Sequence, residues 1–206
     1  MSNRYEEVTG QLRRSYDRAV ERRASSPLEP WKVAPRGAFL ELLRREERRS
    51  LLEIGAGTGV HGRFFADAGI EVVCTDLSAA MVEHCRAQGL VAHERDFLHL
   101  GFDRKFDAAF AMNCLLHVPR EDLPAVLSGV RSVLAAGGVF YLGQYGGIVN
   151  DGVFADDTYE PKRYFSWLPD SELRAVVSEH FVIESFATID IDSDDGSHFQ
   201  SVVLRA

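Results

Sequence analysis

Three glycines at alternate positions, Gly55, Gly57 and Gly59, follow a short apolar run. Glycine has no Cβ, so a backbone built from it can approach a ligand closely. The amphipathic run 61–68 then predicts a helix, whose first N–H groups would face the same ligand. Glu53 places a carboxylate at the end of the preceding strand. A carboxylate at this point repels a pyrophosphate and suits a ligand that carries an ammonium group.

The glycines alone leave two classes of ligand open. Residues 57–62, Gly-Thr-Gly-Val-His-Gly, also fit the G-x-G-x-x-G pattern of dinucleotide sites. In that pattern the first glycine directly follows the strand, whereas here the strand ends two residues earlier, at Gly55. The spacing therefore favours the ammonium-bearing ligand, and the rest of the chain must decide between the two classes.

Acidic residues also end the next two predicted strands. Asp76 closes the strand 70–76, about twenty residues past the glycines, the spacing at which a carboxylate reaches two ribose hydroxyls. Asp96 and Phe97 follow the strand 90–95. They offer an acceptor for the exocyclic amine of adenine and an aromatic wall for its ring. The three strand ends together predict a site for an adenine nucleoside.

These motifs, in this order, resemble those of a known family. The segment Leu51-Leu52-Glu53-Ile54-Gly55-Ala56-Gly57-Thr58-Gly59 resembles motif I of the class I S-adenosylmethionine-dependent methyltransferases. Asp-Leu-Ser-x-x-Met at 76–81 resembles their adenosine motif. Phe-Asp at 106–107, followed by Leu-x-His-Val-Pro at 115–119, resembles their motif IV region. The resemblance covers about residues 50–142.

The resemblance implies S-adenosylmethionine as cofactor and methyl transfer to a small-molecule acceptor. The amino-acid end of the cofactor is then expected at the glycine loop, the ribose at Asp76 and the adenine at Asp96. The implied cofactor-binding residues are Glu53, Gly55, Ala56, Gly57, Gly59, Asp76, Leu77, Met81, Asp96, Phe97 and Asn113.

The acceptor side needs little visible machinery, because a methyl sulfonium is already activated and the protein mainly aligns the acceptor with it. A hydroxyl acceptor would gain from a base, and His117, after the fourth predicted strand, is the candidate. The alternative is that His117 only packs against its loop. The expected substrate-side residues are Tyr16, Gln144, Tyr145 and His198. No metal is indicated, because the histidines and cysteines have no ligand spacing.

The predicted fold is α/β: a doubly wound, seven-stranded, mostly parallel sheet whose last strand is antiparallel, with an N-terminal helical cap. The cap spans 1–49 and the core 50–206, in one domain. Prolines 27, 30 and 35 are expected to break the cap helices, and 143–163 to form a long loop. Candidate lid residues in the cap are Tyr5, Tyr16 and Trp31, and the favoured alternative for each of them is ordinary core or surface packing.

Composition limits the partners. The net charge is −8, although residues 1–50 hold 12 Lys and Arg against 8 Asp and Glu, a balance of +4. We interpret Arg44–Arg49, which mixes both signs, as a solvated helix face. The acidic remainder argues against nucleic acid. No apolar run approaches membrane-spanning length, and three cysteines suggest free thiols in the cytoplasm. Two alternative functions stay open, a cofactor-binding protein without transfer activity and a nicotinamide oxidoreductase.

Overall fold

A seven-stranded sheet forms the centre of the molecule. The computed structural model describes residues 3–206. In space the strands follow the order β3-β2-β1-β4-β5-β9-β8, and a separate two-stranded sheet pairs β6 with β7. The strands are β1 Ser50–Ile54, β2 Glu71–Asp76, β3 Val91–Glu94, β4 Phe106–Met112, β5 Leu134–Gly146, β6 Asn150–Val153, β7 Tyr164–Trp167, β8 Val182–Ile189 and β9 His198–Arg205.

The direction of the strands confirms the predicted fold class. The pairs β1–β2, β1–β4, β2–β3 and β4–β5 are parallel. Strand β9 runs antiparallel to both of its neighbours, β5 and β8. The strand order reverses between β1 and β4, and ligands of open α/β sheets bind in the crevice at the carboxyl ends of such strands. The expected position of a site is therefore above β1 and β4.

Seven α-helices and one short 3₁₀ turn accompany these strands in the described range. They are α1 Asn3–Asp17, α2 Val20–Ser25, α3 Pro30–Arg45, α4 Val60–Asp67, α5 Ala79–Ala87, α6 Leu123–Val133, α7 Asp170–Ser178 and the 3₁₀ turn Leu115–His117. None of them is both long and apolar enough to cross a membrane.

Strand β1 divides the core into two layers because its side chains alternate between the faces of the sheet. All five of its residues are buried. Leu51 packs with α3 and α4 through Phe39 and Phe65, whereas Leu52 packs with α6 through Leu127. A strand covered on both faces is a near-continuous apolar run, which is why 51–54 was recognisable in the sequence.

Prolines do not break the N-terminal helices in the way expected. Pro30 begins α3, where its missing N–H costs nothing, and Pro35 lies inside the same helix. Pro35, Phe39, Leu40 and Leu43 are the buried residues of α3. Burial of this apolar face outweighs the hydrogen bond that Pro35 cannot make.

One further stretch differs from the prediction. Helix α6 ends at Val133 and β5 begins at Leu134, so Gly137 and Gly138 lie within the strand. The stretch 143–163, expected as a loop, contains β6, which pairs antiparallel with β7. Strand β7 lies outside this stretch, so the local sequence pattern could not reveal the pairing. The small sheet carries several aromatic residues.

Helix α1 lies over the carboxyl ends of the parallel strands and is tied there by polar contacts. Ser78 Oγ donates to Asp17 Oδ1 at 2.5 Å. Arg13 Nη1 pairs with Glu94 Oε1 at 2.9 Å, and Ser15 Oγ donates to the carbonyl of Pro161. The helix therefore bridges the ends of β2 and β3 on one side and the segment before β7 on the other.

Candidate active site

The glycine loop joins β1 to α4 and is shaped by backbone that only glycine adopts readily. Gly55, Gly57 and Gly59 have φ values of 65°, 56° and 78°. A Cβ added at Gly55 would lie 2.4 Å from Cys114 Cβ, so one side of the loop is closely packed. A Cβ at Gly57 would meet only Arg23 Nη2, at 3.8 Å. The other side of the loop is therefore open to a ligand.

Glu53 lies beneath this loop, and its side chain does not line the open cavity. It is 2% exposed, and Cys74 Sγ donates to its Oε2 at 3.3 Å. Gly62 in α4 covers it so closely that an added Cβ would lie 2.5 Å from Oε2. Burial raises the pKa of Glu53 to about 8. The sequence predicted that Glu53 contacts an ammonium group directly. The structure does not place it for that contact, because β1 directs this side chain under α4.

Glu53 makes stability depend on pH in a defined direction. Between about pH 4.5 and pH 8 the unfolded chain ionises this carboxyl while the folded chain keeps the proton. Unfolding then releases a proton, so the free energy of unfolding falls as pH rises, by up to about 1.4 kcal/mol per pH unit. In Glu53→Gln we expect that slope to flatten in urea unfolding measured from pH 5 to 8. The exposed Glu83→Gln is the control, and equal slopes in both variants would contradict the assignment.

Asp76 ends β2 directly beside the glycine loop. Its Oδ2 accepts from Gly57 N at 2.8 Å, and its Oδ1 accepts from Ser78 N at 2.9 Å. Burial raises the pKa of Asp76, and the two N–H donors oppose that shift. The predicted packing residues Leu77 and Met81 follow it and are 7% and 0% exposed. This carboxylate is therefore held against the loop with lone pairs remaining for a diol.

The predicted adenine end is covered by α1. Asp96 Oδ1 accepts from Leu98 N at 2.8 Å, and the Tyr5 hydroxyl donates to the same oxygen at 3.3 Å. Leu98 N also donates to Tyr5 Oη, at 3.3 Å. Tyr5 and Phe97 are both buried in the same apolar cluster. The Tyr5 hydroxyl is therefore bonded to Asp96 Oδ1 and to Leu98 N, the acceptor and the donor that the edge of a purine would use.

The open part of the site is a cavity of about 560 Å³ at the carboxyl ends of β1, β4 and β5. It is bounded by the glycine loop, by α2, by the turn after β4 and by the small sheet of β6 and β7. Predicted site residues that line it are Gly55, Ala56, Asn113, His117, Tyr16 and Tyr145. The cofactor and acceptor sides of the prediction therefore meet in one space.

Asn113 has two features that indicate a ligand. Its φ is 54°, an uncommon value for a residue other than glycine, and its N–H donates to the carbonyl of Gly143 at 2.7 Å. Its buried side-chain Oδ1 has no hydrogen-bond partner among residues 3–206. A buried acceptor without a partner is costly, and a bound donor would relieve that cost. Strained backbone of this kind is typical of functional positions.

His117 is not a free base facing the cavity. Its Nδ1 lies 2.7 Å from the carbonyl of Tyr164, which can only accept, so Nδ1 carries the proton. The lone pair of Nε2 therefore accepts from the hydroxyl of Tyr16, 2.9 Å away. Arg163 Nη1 donates to the same hydroxyl oxygen at 3.2 Å. Burial lowers the pKa of His117 to about 3, so the imidazole is neutral at neutral pH.

Gln144 and His198 do not line the cavity, contrary to expectation. In the β5–β9 pairing Gln144 lies opposite Gln200, and His198 lies two residues along on the same face. Gln144 Nε2 donates to Gln200 Oε1 at 3.5 Å, and His198 Nε2 lies 2.9 Å from Asp170 Oδ1. Because side chains alternate along a strand, Tyr145 faces the cavity and its neighbour Gln144 faces α7.

Several lining residues were not found from the sequence. Arg23 and Lys32 form no ion pair with any residue of the described range 3–206. Burial and the nearby Arg23 lower the pKa of Lys32 to about 8. The excess of basic residues in 1–50 was the one sequence feature that indicated such cations. A run of charged residues does not show which of them face a cavity. The other such residues are Arg22, Phe154, Tyr159, Arg163, Phe165 and Trp167.

Comparison with known proteins shows what this part of the chain is similar to. Residues 51–138, from β1 to the first part of β5, match the family model of a methyltransferase domain. Over this segment, which is less than half of the chain, the sequence is that of a methyltransferase domain. The matched segment contains the glycine loop, Asp76, Asp96 and His117, and of these Gly55 and His117 line the open cavity.

Named relatives are methyltransferases as well. The chain is 32% identical over 111 residues to a cypemycin N-terminal methyltransferase from a Streptomyces species, covering 51% of this chain and 45% of the relative. The chain spans less than half the length of the curated relatives it matches.

Solved structures agree in fold. A 1,6-didemethyltoxoflavin-N1-methyltransferase from Burkholderia thailandensis, solved with 1,6-didemethyltoxoflavin and S-adenosylhomocysteine, superposes with a TM-score of 0.75 at 19% identity. The alignment covers 98% of this chain and 89% of that chain. The cyclase SpnF superposes with a TM-score of 0.72 at 16% identity, covering 96% of each chain. At these identities the likeness concerns the fold alone.

Proposed function

We propose that this protein transfers a methyl group from S-adenosylmethionine to a small-molecule acceptor by in-line displacement. The observation that carries the proposal is a cavity in which the glycine loop meets Asn113, His117 and Tyr16. An acceptor bound against Tyr16 would lie across the cavity from the amino-acid end of the cofactor. The match to a methyltransferase domain and the fold support the same activity.

The residues present fit the cofactor. When bound, S-adenosylmethionine supplies a methyl group on a positively charged sulfur. Asp76 would accept from the ribose hydroxyls, and the side-chain oxygen of Asn113 would accept from the ammonium group. Arg23 and Lys32, which pair with no carboxylate of residues 3–206, would bind its carboxylate. Asp96 and Phe97 would hold the adenine once Tyr5 moves aside.

The acceptor side works by alignment and by exclusion of water. Tyr16 is fixed between His117 and Arg163, so its hydroxyl oxygen has a defined direction. A proton that leaves the acceptor can pass to Tyr16 Oη while the Tyr16 proton passes to His117 Nε2. The charge formed on His117 is costly in this buried position, so the relay suits an acceptor atom that gives up its proton readily.

Two alternatives have specific observations behind them. A cofactor-binding protein without methyl transfer is favoured by the likeness to a protein named as a cyclase, because the same fold hosts that activity. A nicotinamide oxidoreductase is the weaker alternative, because the antiparallel strand β9 and the buried Glu53 beneath the glycine loop differ from a dinucleotide site.

Thermal shift distinguishes the cofactors. A ligand at 100 times its Kd stabilises the folded state by about 2.7 kcal/mol, which raises the Tm of a chain of this size by roughly 5–10 °C. We expect this shift with S-adenosylhomocysteine and none with NAD⁺ or NADH. The opposite pattern would contradict the proposal. Formation of S-adenosylhomocysteine from the methyl donor on addition of an acceptor then separates a transferase from a protein that only binds the cofactor.

We also infer the setting in which the chain works. The three cysteines are free and buried, which supports a reducing compartment such as the cytoplasm. The net charge of −8 supports an acceptor other than nucleic acid, because a phosphate backbone would be repelled by the acidic body. The helical cap 1–49 and the core 50–206 would act as one domain, since α1 and α2 complete the cavity.

A further inference from the structure

Aromatic rings form most of the wall on the acceptor side of the cavity. Phe165 and Trp167 project from the same face of β7, two residues apart. Their ring centroids are 6.2 Å apart, and Phe154 lies 5.5 Å from each of them. The His117 ring lies 4.7 Å from Phe165. The rings that line the cavity, besides those of His61 and His117, are Tyr16, Tyr145, Phe154, Tyr159, Phe165 and Trp167.

Cations of the protein already lie over the tyrosine rings. Arg22 and Arg163 lie over Tyr159, with their guanidinium carbons 3.8 Å and 3.6 Å from the ring centroid. Arg23 lies 5.9 Å from the centroid of Tyr16, and Lys32 Nζ lies 5.8 Å from that of Tyr145. The cation–π positions of these tyrosines are therefore filled from within the chain.

The charge of the lining adds to this effect. Four cations, Arg22, Arg23, Lys32 and Arg163, face three carboxylates, Glu29, Asp156 and Asp157, which leaves an excess of one positive charge. The sulfonium of the cofactor would raise this excess further. A cationic acceptor would be repelled on entry, since like charges in a half-buried site interact strongly.

A hydrogen-bond donor on the same wall is also without a partner. The buried Nε1 of Trp167 makes no hydrogen bond within the described range 3–206. An indole nitrogen can only donate, so its missing partner is an acceptor. Planar rings that stack on aromatic side chains gain from offset or edge-to-face packing in a way that saturated rings do not.

We infer that the acceptor is a planar aromatic or heteroaromatic compound without positive charge, which packs on Phe165 and Trp167 and accepts a hydrogen bond from Trp167 Nε1. This inference rests on the proposed function and specifies its substrate class. A phenolic ring hydroxyl on such a compound is more acidic than an aliphatic hydroxyl, so its proton would pass to Tyr16 more readily. The wall and the Tyr16–His117 pair therefore favour the same class of acceptor.

Four matched probes test this class on the full chain saturated with S-adenosylhomocysteine. The probes are 3-hydroxybenzoate, 3-hydroxybenzamide, 3-hydroxybenzylamine and 3-hydroxycyclohexanecarboxylate, which are similar in size and differ mainly in charge or in planarity. We expect calorimetry to detect binding of the benzoate and the benzamide. The amine and the cyclohexane acid should bind at least about tenfold more weakly. Equal affinity for all four, tighter binding of the amine, or no binding of any aromatic probe would overturn the inference.

Variants test the wall itself. Trp167→Phe keeps a ring and removes the donor, and Phe165→Leu removes a ring. Each should weaken benzoate binding by about 2–10-fold, while the exposed Val182→Ala leaves it unchanged. Unchanged affinity in both wall variants would overturn the assignment. Binding of S-adenosylhomocysteine is measured first in the wild type and in every variant. A wild type that does not bind it would refute the proposed function, and variants that still bind it are folded.

Discussion

Replacing Asp76 by alanine is expected to weaken binding of S-adenosylhomocysteine by about 10²–10⁴-fold. Two hydroxyl donors of a ribose would lose a charged acceptor, and hydrogen bonds to charged groups contribute about 1.5–3 kcal/mol each. Gly57 N and Ser78 N would also lose the carboxylate that holds them, which loosens the glycine loop. Calorimetry measures the change in Kd.

The matched control for Asp76→Ala is Asp67→Ala, the same chemical change at an exposed position of α4. Asp67 pairs only with Arg63 at the surface, so its loss should leave cofactor affinity unchanged. An intermediate affinity is expected for Asp76→Asn, which keeps one acceptor oxygen. Wild-type affinity in Asp76→Ala would show that this carboxylate does not take the ribose.

Tyr16→Phe is expected to lower turnover by about 10²-fold with little change in cofactor affinity. The phenylalanine keeps the ring but removes the oxygen that links His117 and Arg163 to the cavity. Proton transfer by a positioned group contributes about 10²–10⁴-fold, and a relay with a buried imidazole belongs at the low end. Turnover is measured by transfer from labelled S-adenosylmethionine to an acceptor recovered from cell extracts.

His117→Ala should lower turnover to a similar extent, because the hydroxyl of Tyr16 would lose its acceptor. The double variant should be no slower than either single variant, since groups that act as one unit are not additive. Tyr141→Phe is the control: its hydroxyl pairs with Ser201 in the β5–β9 region, outside the cavity lining. Additive losses of turnover would show that Tyr16 and His117 act independently. Unchanged turnover in the single variants would show that neither residue takes part in proton transfer.

The cofactor half of the site could be predicted because its residues lie at strand ends with fixed spacing. Gly55, Gly57 and Gly59 must adopt positive φ, and a conformational requirement of that kind is visible in residue type. Asp76 ends a strand that pairs parallel with β1, so its distance along the chain fixes its place beside the loop. Residue type and spacing along the chain were therefore enough to predict this half of the site.

The acceptor half could not be predicted in detail, because its residues come from separate parts of the chain. Strand β6 pairs with β7 across an intervening loop, and only that pairing brings Phe154 to Phe165 and Trp167. The faces of β5 and β9 are fixed by their antiparallel register, which turns Gln144 toward Gln200 and His198 toward Asp170. Sequence spacing gave their strands correctly and their directions wrongly.

The sequence by itself determined the α/β class, the glycine loop and the strand-end acids, because each rests on periodicity or on a local backbone requirement. Its motifs also carried the resemblance to methyltransferases. The tertiary structure alone decided that Glu53 supports the loop from below, that Tyr5 covers Asp96, and that His117 faces the hydroxyl of Tyr16. The physical reason is that burial and hydrogen-bond partners depend on which distant segments pack together, and no local pattern carries that information.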